Sequence, residues 1–306
     1  MILIITHKSD FTADFVVNKL NDRKIKYRRF NCEDILKSEL SISFSPRFHY
    51  KLFGINSFKS VWFRRTKLPD IEGLSNDEKN YILNETQSLI GNLFNVLPAK
   101  WLSSPSSVYV AENKLLQLKI AQQIGFKIPE TLITTSKNLL KEFYENHNGN
   151  IVLKPISQTR VSYNDNAAFI FTSRVTQAHI EKLEALDLTP CIFQENISKD
   201  YEIRVTVIGE NIFAAAVDSQ SHDETKDDWR RKPLDFRLIE LPPNISNMCI
   251  RLLKDLNLEF GAIDLIKTPK NEYYFLEINP NGQWVWIENQ TGHKISDAII
   301  DYLQCE

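Results

Sequence analysis

Short apolar runs alternate with helical repeats along the first third of the chain. Ile2–Thr6 has the length and apolar character of a buried strand, and residues 11–20 repeat apolar side chains with helical spacing. Two more strands are predicted over 26–31 and 60–65. Strands that alternate with helices favour a small α/β unit with parallel pairing. No glycine-rich turn follows the first strand, so a dinucleotide-binding fold is not supported.

Capping residues and turns mark the later elements. Ser75 and Glu78 form a capping box that opens a long helix, which Pro98 ends. The serine-rich stretch 103–107 is the best candidate for a linker. Beyond it we predict a helix over 111–124 stopped by Gly125, an extended segment over 128–135, a helix over 138–147, a strand over 151–154, strands over 201–208 and 212–218, a helix over 246–256, a hairpin over 260–280, and a terminal helix from about Ile295.

The composition excludes several classes of function. At 306 residues the chain is long enough for two or three packed subdomains, and its formal net charge of −2 does not indicate a nucleic-acid or membrane surface. No segment approaches the roughly 20 apolar residues of a membrane-spanning helix, and the first apolar run lacks the basic region of a signal peptide. The four cysteines lack CxxC spacing, which is typical of reduced thiols. We therefore expect a cytoplasmic protein that binds neither nucleic acid nor membranes.

Two carboxylates lie inside the apolar hairpin near the C-terminus. If Thr268 faces Tyr273 across its turn, Asp264 lies directly opposite Glu277, and strand alternation puts Asn279 on the same face as Glu277. Carboxylates opposed across a strand pair repel each other. A divalent cation removes that repulsion, and carboxylate and amide oxygens are ligands that Mg²⁺ prefers. The alternative, a solvated hairpin face with two chance acids, is disfavoured by the apolar neighbours of both residues.

Two predicted strands carry polar side chains suited to an anionic ligand. Lys154 ends an apolar strand, where it would either pair with an anion such as a phosphate or extend into solvent. Glu202, Arg204 and Thr206 share one face of the strand over 201–208. That face would either line a cleft, with Arg204 directed at phosphate, or form a solvent-facing sheet surface.

A third group of charges follows a polar loop. Trp229, Arg230, Arg231 and Lys232 come directly after two aspartates. Cations beside a tryptophan could hold a carboxylate or phosphoryl group that arrives from solvent. A solvated loop is the alternative, since most charge runs are solvated.

In their order along the chain, these residues resemble the ATP-grasp superfamily. The motifs that carry the resemblance are Lys114, Lys154, Gln194-Glu195-Asn196-Ile197, Glu202-Ile203-Arg204, Asp264, Glu277 and Asn279. The resemblance extends from about Ser103 to the C-terminus. It implies an α+β fold with an N-terminal α/β (pre-ATP-grasp) domain over residues 1–104, a central ATP-grasp subdomain over 105–195, and a C-terminal ATP-grasp subdomain with a metal-binding hairpin over 196–306.

Within the superfamily, the chain most resembles the microviridin-type (graspetide) ligases that cyclise ribosomal peptides. This resemblance rests on three motifs: Val61-Trp62-Phe63-Arg64-Arg65, Asp228-Trp229-Arg230-Arg231, and Asn279-Pro280-Asn281-Gly282-Gln283-Trp284. One departure from the wider superfamily is the loop over 156–167, which contains no glycine where many relatives close a glycine-rich loop over the phosphates. We expect Ser157, Thr159 or Arg160 to take over contact with phosphate.

The resemblance implies a role for each residue. ATP and Mg²⁺ are the implied cofactors, with the metal held by Asp264, Glu277 and Asn279. The nucleotide would be bound by Lys114, Lys154, Gln194, Glu195, Asn196, Ile197 and Glu202. Arg204, Arg230 and Arg231 are the expected catalytic cations, and Arg64, Arg65 and Trp229 the expected contacts to the peptide.

The implied reaction activates Asp or Glu side chains of a precursor peptide by phosphorylation. Ser, Thr or Lys side chains of the same peptide then attack, which gives ω-ester or ω-amide crosslinks and depends on a leader segment. The alternatives are a RimK-like ligase that adds an amino acid through an amide, and a nucleotide-binding regulatory module without turnover. We expect a homo-oligomer, with a dimer as one possibility.

Overall fold

The computed structural model describes residues 1–156, 160–163, 166–184 and 189–305, and of strands 160–163 and 166–169 it describes the backbone. The strands are β1 (Ile2–Thr6), β2 (Tyr27–Asn31), β3 (Leu40–Phe44), β4 (Phe48–Leu52), β5 (Ser60–Phe63), β6 (Lys100–Leu102), β7 (Thr131–Thr134), β8 (Ile151–Lys154), β9 (Arg160–Tyr163), β10 (Asn166–Phe169), β11 (Ser173–Arg174), β12 (Cys191–Glu195), β13 (Tyr201–Ile208), β14 (Asn211–Val217), β15 (Phe236–Ile239), β16 (Phe260–Lys267) and β17 (Tyr273–Asn279). The helices are α1 (Phe11–Asp22), α2 (Asn76–Val96), α3 (Pro105–Ala111), α4 (Lys114–Ile124), α5 (Lys137–Asn146), α6 (Gln177–Glu181), α7 (Pro243–Asp255), α8 (Val285–Thr291) and α9 (Ile295–Gln304).

The N-terminal sheet has the order β2-β1-β5-β6 with parallel pairing, as the alternating pattern predicts. Asp10 caps α1, and its Oδ1 accepts the backbone N–H groups of Thr12 and Ala13. The capping box of Ser75 and Glu78 is present at the start of α2. The hairpin β3–β4, which lies outside this sheet, was not predicted.

The predicted linker over 103–107 is wrong. Ser103 is 3% exposed, and its Oγ accepts the backbone N–H groups of Glu259 at 3.0 Å and Phe260 at 3.1 Å. Ser104 caps α3 by accepting the N–H of Ser107. These serines therefore satisfy backbone groups inside the packed structure.

The predicted helix over 111–124 is α4, which begins at Lys114, three residues later than predicted. α3 ends at Ala111, and Asn113 caps α4, where its Oδ1 accepts the N–H groups of Leu115 and Leu116 at 3.1 Å. A side chain that competes for backbone N–H groups favours a new helix start over continuation. Gly125 ends α4 with a φ of 106°, as its position in the sequence predicts.

Two further sheets form the remainder of the molecule. The central sheet has the order β11-β8-β12-β7, and the C-terminal sheet has the order β15-β14-β13-β16-β17. Both are antiparallel. The three large sheets fall within the three predicted units, although the boundaries of those units stay predictions. No described helix is both long and apolar enough to cross a bilayer.

The hydrophobic cores show how the units are joined. One large core links the N-terminal sheet, through α2, α3, α4 and α7, to β13 and β16. A second core packs α9 and Trp284 against the other face of the N-terminal sheet. The central sheet has a smaller core of its own around Leu140, Ile151 and Phe193. The N- and C-terminal units therefore form one packed body, and the central sheet lies beside it.

Candidate active site

A cleft with a volume of about 380 Å³ lies between the central and C-terminal sheets. It is lined by most of the predicted site residues: Lys114, Lys154, Gln194, Glu195, Asn196, Ile197, Glu202, Trp229, Arg230, Asp264, Glu277 and Asn279. Among the predicted site residues whose side chains the structure describes, Arg64, Arg65, Arg204 and Arg231 do not line it. The structure therefore gathers side chains from the hairpin, from both polar strands and from the loop of Trp229 and Arg230 into one cavity.

The opposed carboxylates are present, but through a different register from the predicted one. Lys267, and not Thr268, pairs with Tyr273, so the predicted register next to the turn is wrong by one residue. A β-bulge between Asp264 and Leu265 shifts the register by one residue in the opposite direction. Asp264 therefore pairs with Glu277 as predicted. A bulge of this kind inserts one extra residue into one strand and is common beside functional sites.

Each of the two acids has its own cation. Arg204 Nη1 donates to Asp264 Oδ1 at 2.9 Å and Oδ2 at 2.8 Å, and Lys114 Nζ lies 3.2 Å from Glu277 Oε2. Burial raises the pKa of Asp264, and Glu277 raises it further against the opposing effect of Arg204. Burial also acts on Glu277, but Lys114, Lys154 and Arg230 bring its pKa below the ordinary value. The two opposed carboxylates still repel each other, and a further cation between them would stabilise their charged forms.

These residues fit a magnesium ion that is shared with phosphate oxygens. The described residues contain no group of three or more His, Cys, Asp or Glu side chains placed to hold a metal by themselves. Mg²⁺ commonly binds through one or two carboxylates together with substrate phosphates and water. Asn279 Oδ1 accepts the N–H of Asn281 at 3.0 Å, which orients the amide beside the two acids. Asp264, Glu277 and Asn279 thus offer a donor set suited to a nucleotide-bound metal.

Lysines supply the positive side of the cleft. Burial lowers the pKa of Lys154 to about 8, and the positive charges of Lys199 and Lys114 add to that effect. Lys114 Nζ also donates to the carbonyl of Pro155 at 3.2 Å, which joins α4 to the end of β8. Glu277 and Glu202 oppose this effect, and the negative charge of a phosphate would oppose it further, so the cleft is suited to a polyanionic ligand.

Gln194 and its neighbours form the edge of the cleft next to the central sheet. Gln194 is 2% exposed, and its Nε2 donates to Thr131 Oγ1 at 2.9 Å. Its Oε1 has no hydrogen-bond partner among the described residues. A buried amide oxygen without a partner is costly, which indicates that a ligand donor completes it.

The face of β13 that carries Glu202, Arg204 and Thr206 is covered. These side chains are 6%, 7% and 0% exposed, which rules out a solvent-facing sheet surface. Glu202 pairs with Lys199 at 2.9 Å, and both side chains are 7% exposed. Lys199 also donates to the carbonyl of Lys226 at 3.0 Å, so it joins β13 to the loop that precedes Trp229.

Asp228 orients Arg230 at the cleft. Its Oδ1 accepts Arg230 Nε at 2.8 Å and its Oδ2 accepts Arg230 Nη2 at 2.6 Å, in a bidentate pair. Asp228 Oδ2 also accepts the N–H of Thr172 at 3.1 Å. Arg231 is directed elsewhere, since its Nη2 donates to the Thr172 carbonyl at 2.8 Å and to Ser173 Oγ at 3.0 Å. Arg230 is therefore placed to meet a ligand, while Arg231 joins this loop to the central sheet at β11.

The residues predicted to contact a peptide are dispersed. Arg64 is 1% exposed and its Nε donates to Asp10 Oδ2 at 3.3 Å, so its side chain is not presented to a ligand in this structure. Arg65 is exposed and lies close enough to Glu112, a cleft residue, to lower the pKa of that carboxyl against the raising effect of burial. Trp229 lines the cleft and packs edge-on against Phe236.

Of the predicted loop over 156–167, residues 157–159 and 164–165 lie outside the described residues, and 160–163 and 166–167 belong to the strands β9 and β10. Ser157 and Thr159 are not described, and of Arg160 the backbone is described as the first residue of β9. The expected phosphate contacts of these three residues therefore stay predictions.

Sequence reasoning missed several residues that shape the site. Asp228 stood inside a recognised motif and Lys199 between two of them, yet the bonds of Asp228 to Thr172 and of Lys199 to Lys226 join distant parts of the sequence. Gly282 is a third case, because a Cβ there would lie 2.4 Å from Ala262 Cβ and 2.7 Å from Arg204 Nη2. The absence of a side chain at Gly282 lets the loop after β17 pack against the guanidinium that holds Asp264. The Asn-Gly pair at 281–282 was the available signal.

Comparison with known proteins agrees with this site. A model of the RimK-like ATP-grasp domain matches residues 111–303. The chain is 32% identical to a RiPP-associated ATP-grasp ligase of Chryseobacterium gregarium, solved in complex with ADP and a leader and core peptide; the match covers 99% of this chain and 96% of that chain, with a TM-score of 0.90. It is 31% identical to macrocyclase MdnC of Microcystis aeruginosa MRC, bound with precursor peptide MdnA, over 99% of both chains, with a TM-score of 0.88.

Macrocyclase MdnB from the same organism is 29% identical, and the match covers 100% of this chain and 99% of that chain with a TM-score of 0.81. No curated protein matches the chain. The family model spans more than half of the chain, and two solved relatives exceed 30% identity over nearly all of it. This chain therefore belongs to the family of ligases with a RimK-like ATP-grasp domain.

Proposed function

We propose that this ligase phosphorylates Asp or Glu side chains of a ribosomal precursor peptide and joins them to Ser, Thr or Lys side chains as ω-esters or ω-amides. The observation that carries the proposal is the meeting of Asp264, Glu277 and Asn279 with Lys114 and Lys154 in one cleft. Relatives that are 31–32% identical over almost the whole chain are described as RiPP-associated or as macrocyclases, and they were solved with leader, core or precursor peptides.

The nucleotide would lie in the cleft with its phosphates between the lysines and the acid pair. Gln194 and the chain through Ile197 would contact adenine, and the unpartnered Gln194 Oε1 offers an acceptor there. Glu202 would receive the ribose hydroxyls on release from Lys199. When bound, Mg²⁺ supplies charge neutralisation for the phosphate oxygens. Lys114 and Lys154 would offset the charge that spreads over the γ-phosphoryl group during transfer.

The chemistry consists of two displacements. A side-chain carboxylate oxygen of the peptide attacks the γ-phosphorus, the bond to the β-phosphate oxygen breaks, and ADP leaves with that electron pair. A hydroxyl or amine of the same peptide then attacks the acyl-phosphate carbon, loses its proton, and expels inorganic phosphate. Arg230, held by Asp228, would orient the incoming carboxylate and stabilise the developing oxyanion. Because Arg231 donates hydrogen bonds to Thr172 and Ser173, we propose that it holds the loop in position and does not contact substrate.

A leader-binding surface would hold the core peptide near the cleft and raise its effective concentration. Arg65 is an exposed cation next to the cleft residue Glu112, so we propose it as a peptide contact in preference to the buried Arg64. Homo-oligomerisation, with a dimer as one form, remains part of the proposal. Sedimentation of the purified protein measures it directly.

The proposed reaction is tested by mass. The protein is incubated with ATP, Mg²⁺ and a precursor peptide encoded beside it, and the peptide mass is measured. Cyclisation removes one water for each linkage, whereas the RimK-like alternative adds an amino-acid residue. Formation of ADP without either change, or no ATP-dependent change at all, contradicts the proposal and favours the regulatory-module alternative.

Asp228→Asn tests the placement of Arg230. The variant loses the charge-assisted bidentate pair, so we expect kcat/KM for the peptide to fall roughly 10- to 100-fold while ADP affinity stays unchanged. Steady-state kinetics with varied peptide and calorimetry with ADP measure the two effects. The matched control is Asp223→Asn, which removes a carboxylate from an exposed pair with Lys226 in the same loop. Equal loss in both variants would show that Arg230 has no special role.

A further inference from the structure

Gln117 connects the helix that carries Lys114 to the strand that carries two of the proposed metal ligands. It lies in α4 and is 2% exposed. Its Nε2 donates to the carbonyls of Ala111 at 2.7 Å and Ile278 at 2.9 Å, and its Oε1 accepts the N–H of Ile278 at 3.1 Å. Both N–H donors and the oxygen acceptor of this buried side-chain amide are therefore hydrogen-bonded.

The bond to Ile278 takes the place of a neighbouring strand. β17 is the last strand in the described order of its sheet, and along its outer edge the described residues show one isolated bridge, between Tyr274 and Lys127, before Ile278 is reached. Ile278 pairs with Ile263 across β16, yet its own N–H and carbonyl both bond to Gln117. The side-chain amide thus presents the same donor and acceptor that a peptide group of an adjacent strand would present.

The position of this bond matters because of what flanks it. Ile278 lies between Glu277 and Asn279, whose side chains both line the cleft. A shift or rotation of the strand at Ile278 would therefore move both side chains together. Lys114, three residues before Gln117 on the same helix, contacts Glu277 Oε2 at 3.2 Å. One helix consequently sets the position of the strand backbone and of the cation beside the acid.

We propose that Gln117 is a positioning residue for the metal site, an inference that rests on the proposed function. By fixing the backbone at Ile278, it holds Glu277 and Asn279 at the spacing that a nucleotide-bound divalent cation needs. Gln117 also lines the cleft, but the donors and the acceptor of its amide are occupied by backbone, so it would act on the site through Ile278. Outer residues that orient metal ligands typically change metal affinity about 10- to 100-fold when they are replaced.

Gln117→Met is the main test, because methionine has similar length and no amide. Gln117→Asn keeps the amide but shortens the side chain by one methylene, so the amide no longer reaches Ile278. It is the test variant if Gln117→Met does not fold. Gln123→Met, an exposed position on the same helix, is the matched control. Mn²⁺ is the metal probe, and its binding in the presence of ADP is followed by electron paramagnetic resonance. Hydrogen exchange of the peptide that contains Ile278 is measured without nucleotide.

In Gln117→Met we expect the amide hydrogen of Ile278 to exchange roughly 3- to 10-fold faster than in the wild type. Its Mn²⁺ dissociation constant with ADP should rise about 10-fold or more, and ADP affinity in EDTA should not change. The control should match the wild type in all three measurements.

The outcomes separate this inference from the proposed function. Faster exchange with unchanged Mn²⁺ binding shows that Gln117 stabilises the strand without positioning the metal ligands, and it overturns the inference alone. Unchanged exchange shows that the amide does not hold Ile278, and it also overturns the inference. Failure of the wild type to bind Mn²⁺ with ADP overturns the proposed function and the inference together.

Discussion

Glu277→Gln is expected to abolish ATP-dependent peptide modification, with kcat/KM reduced about 10³-fold or more. A metal contributes several kcal/mol of transition-state charge stabilisation, which corresponds to a loss of that size when its binding fails. Glutamine keeps the shape of the side chain but removes the charge that Lys114 and Asp264 face. Asp264→Asn should have a similar effect and should also release Arg204. Peptide mass and ADP formation, measured over a range of Mg²⁺ concentrations, report the loss.

The hairpin offers its own control. Glu272→Gln removes a carboxylate from the turn, where it pairs with the exposed Lys127, and should leave turnover within about 2-fold of the wild type. Thermal unfolding of Glu277→Gln and Glu272→Gln should stay close to that of the wild type, because the first relieves repulsion between the opposed acids and the second changes a largely exposed pair. Asp264→Asn should unfold at a lower temperature, because it leaves the buried Arg204 without its anion. Normal turnover by Glu277→Gln would contradict the metal assignment, and unfolding of that variant would leave Asp264→Asn as the test.

The opposed acids could be predicted because side-chain alternation along a strand has a fixed period. That period places Asp264 and Glu277 on one face once the two strands are paired. The bulge next to Asp264 could not be predicted, since it is visible only in the pairing between strands. The prediction of the acid pair was confirmed even though the register next to the turn was wrong, because the bulge offset the shift of one residue.

Local capping signals were equally informative, but only where their partners are local. Ser75 and Glu78 lie three residues apart, so the sequence alone shows the capping box. Ser103 was misread as part of a linker because its hydroxyl bonds to backbone more than 150 residues away, at Glu259 and Phe260. Polar residues of this kind resemble a loop until the fold brings their partners beside them.

The same limit applies to the site. The motifs identified which residue types line the cleft, but not which side chain each one contacts. Arg231 bonds to the central sheet at β11, and Arg64 is buried against Asp10, although both stand in motifs that suggested ligand contact. The sequence did not indicate a role for Gln117, because a single glutamine within a helix forms no recognisable motif. Its role depends on Ile278, which is 161 residues away.

Lys154→Met is expected to lower kcat/KM for ATP roughly 10- to 100-fold, which is the usual value of one charge-assisted hydrogen bond to an anion. The lysine ends β8 inside the cleft, near the charges of Glu277, Lys199 and Lys114. Methionine preserves the apolar stem and removes the charge, so the fold should persist. Peptide binding should be little affected, since Lys154 faces the proposed phosphate site.

The pH dependence of nucleotide binding gives a second measurement on the same residue. In the free protein the pKa of Lys154 is lowered to about 8, mainly by burial. The protonated lysine binds phosphate, so wild-type affinity for ADP should be highest below this pKa and fall as the pH rises through 8 to about 9. Lys154→Arg keeps its charge throughout this range and should bind ADP with a flat profile, because arginine does not lose its proton there. Calorimetry with ADP from about pH 7 to 9 distinguishes the variants, and an equal decline in the wild type and Lys154→Arg would assign the titration to another group.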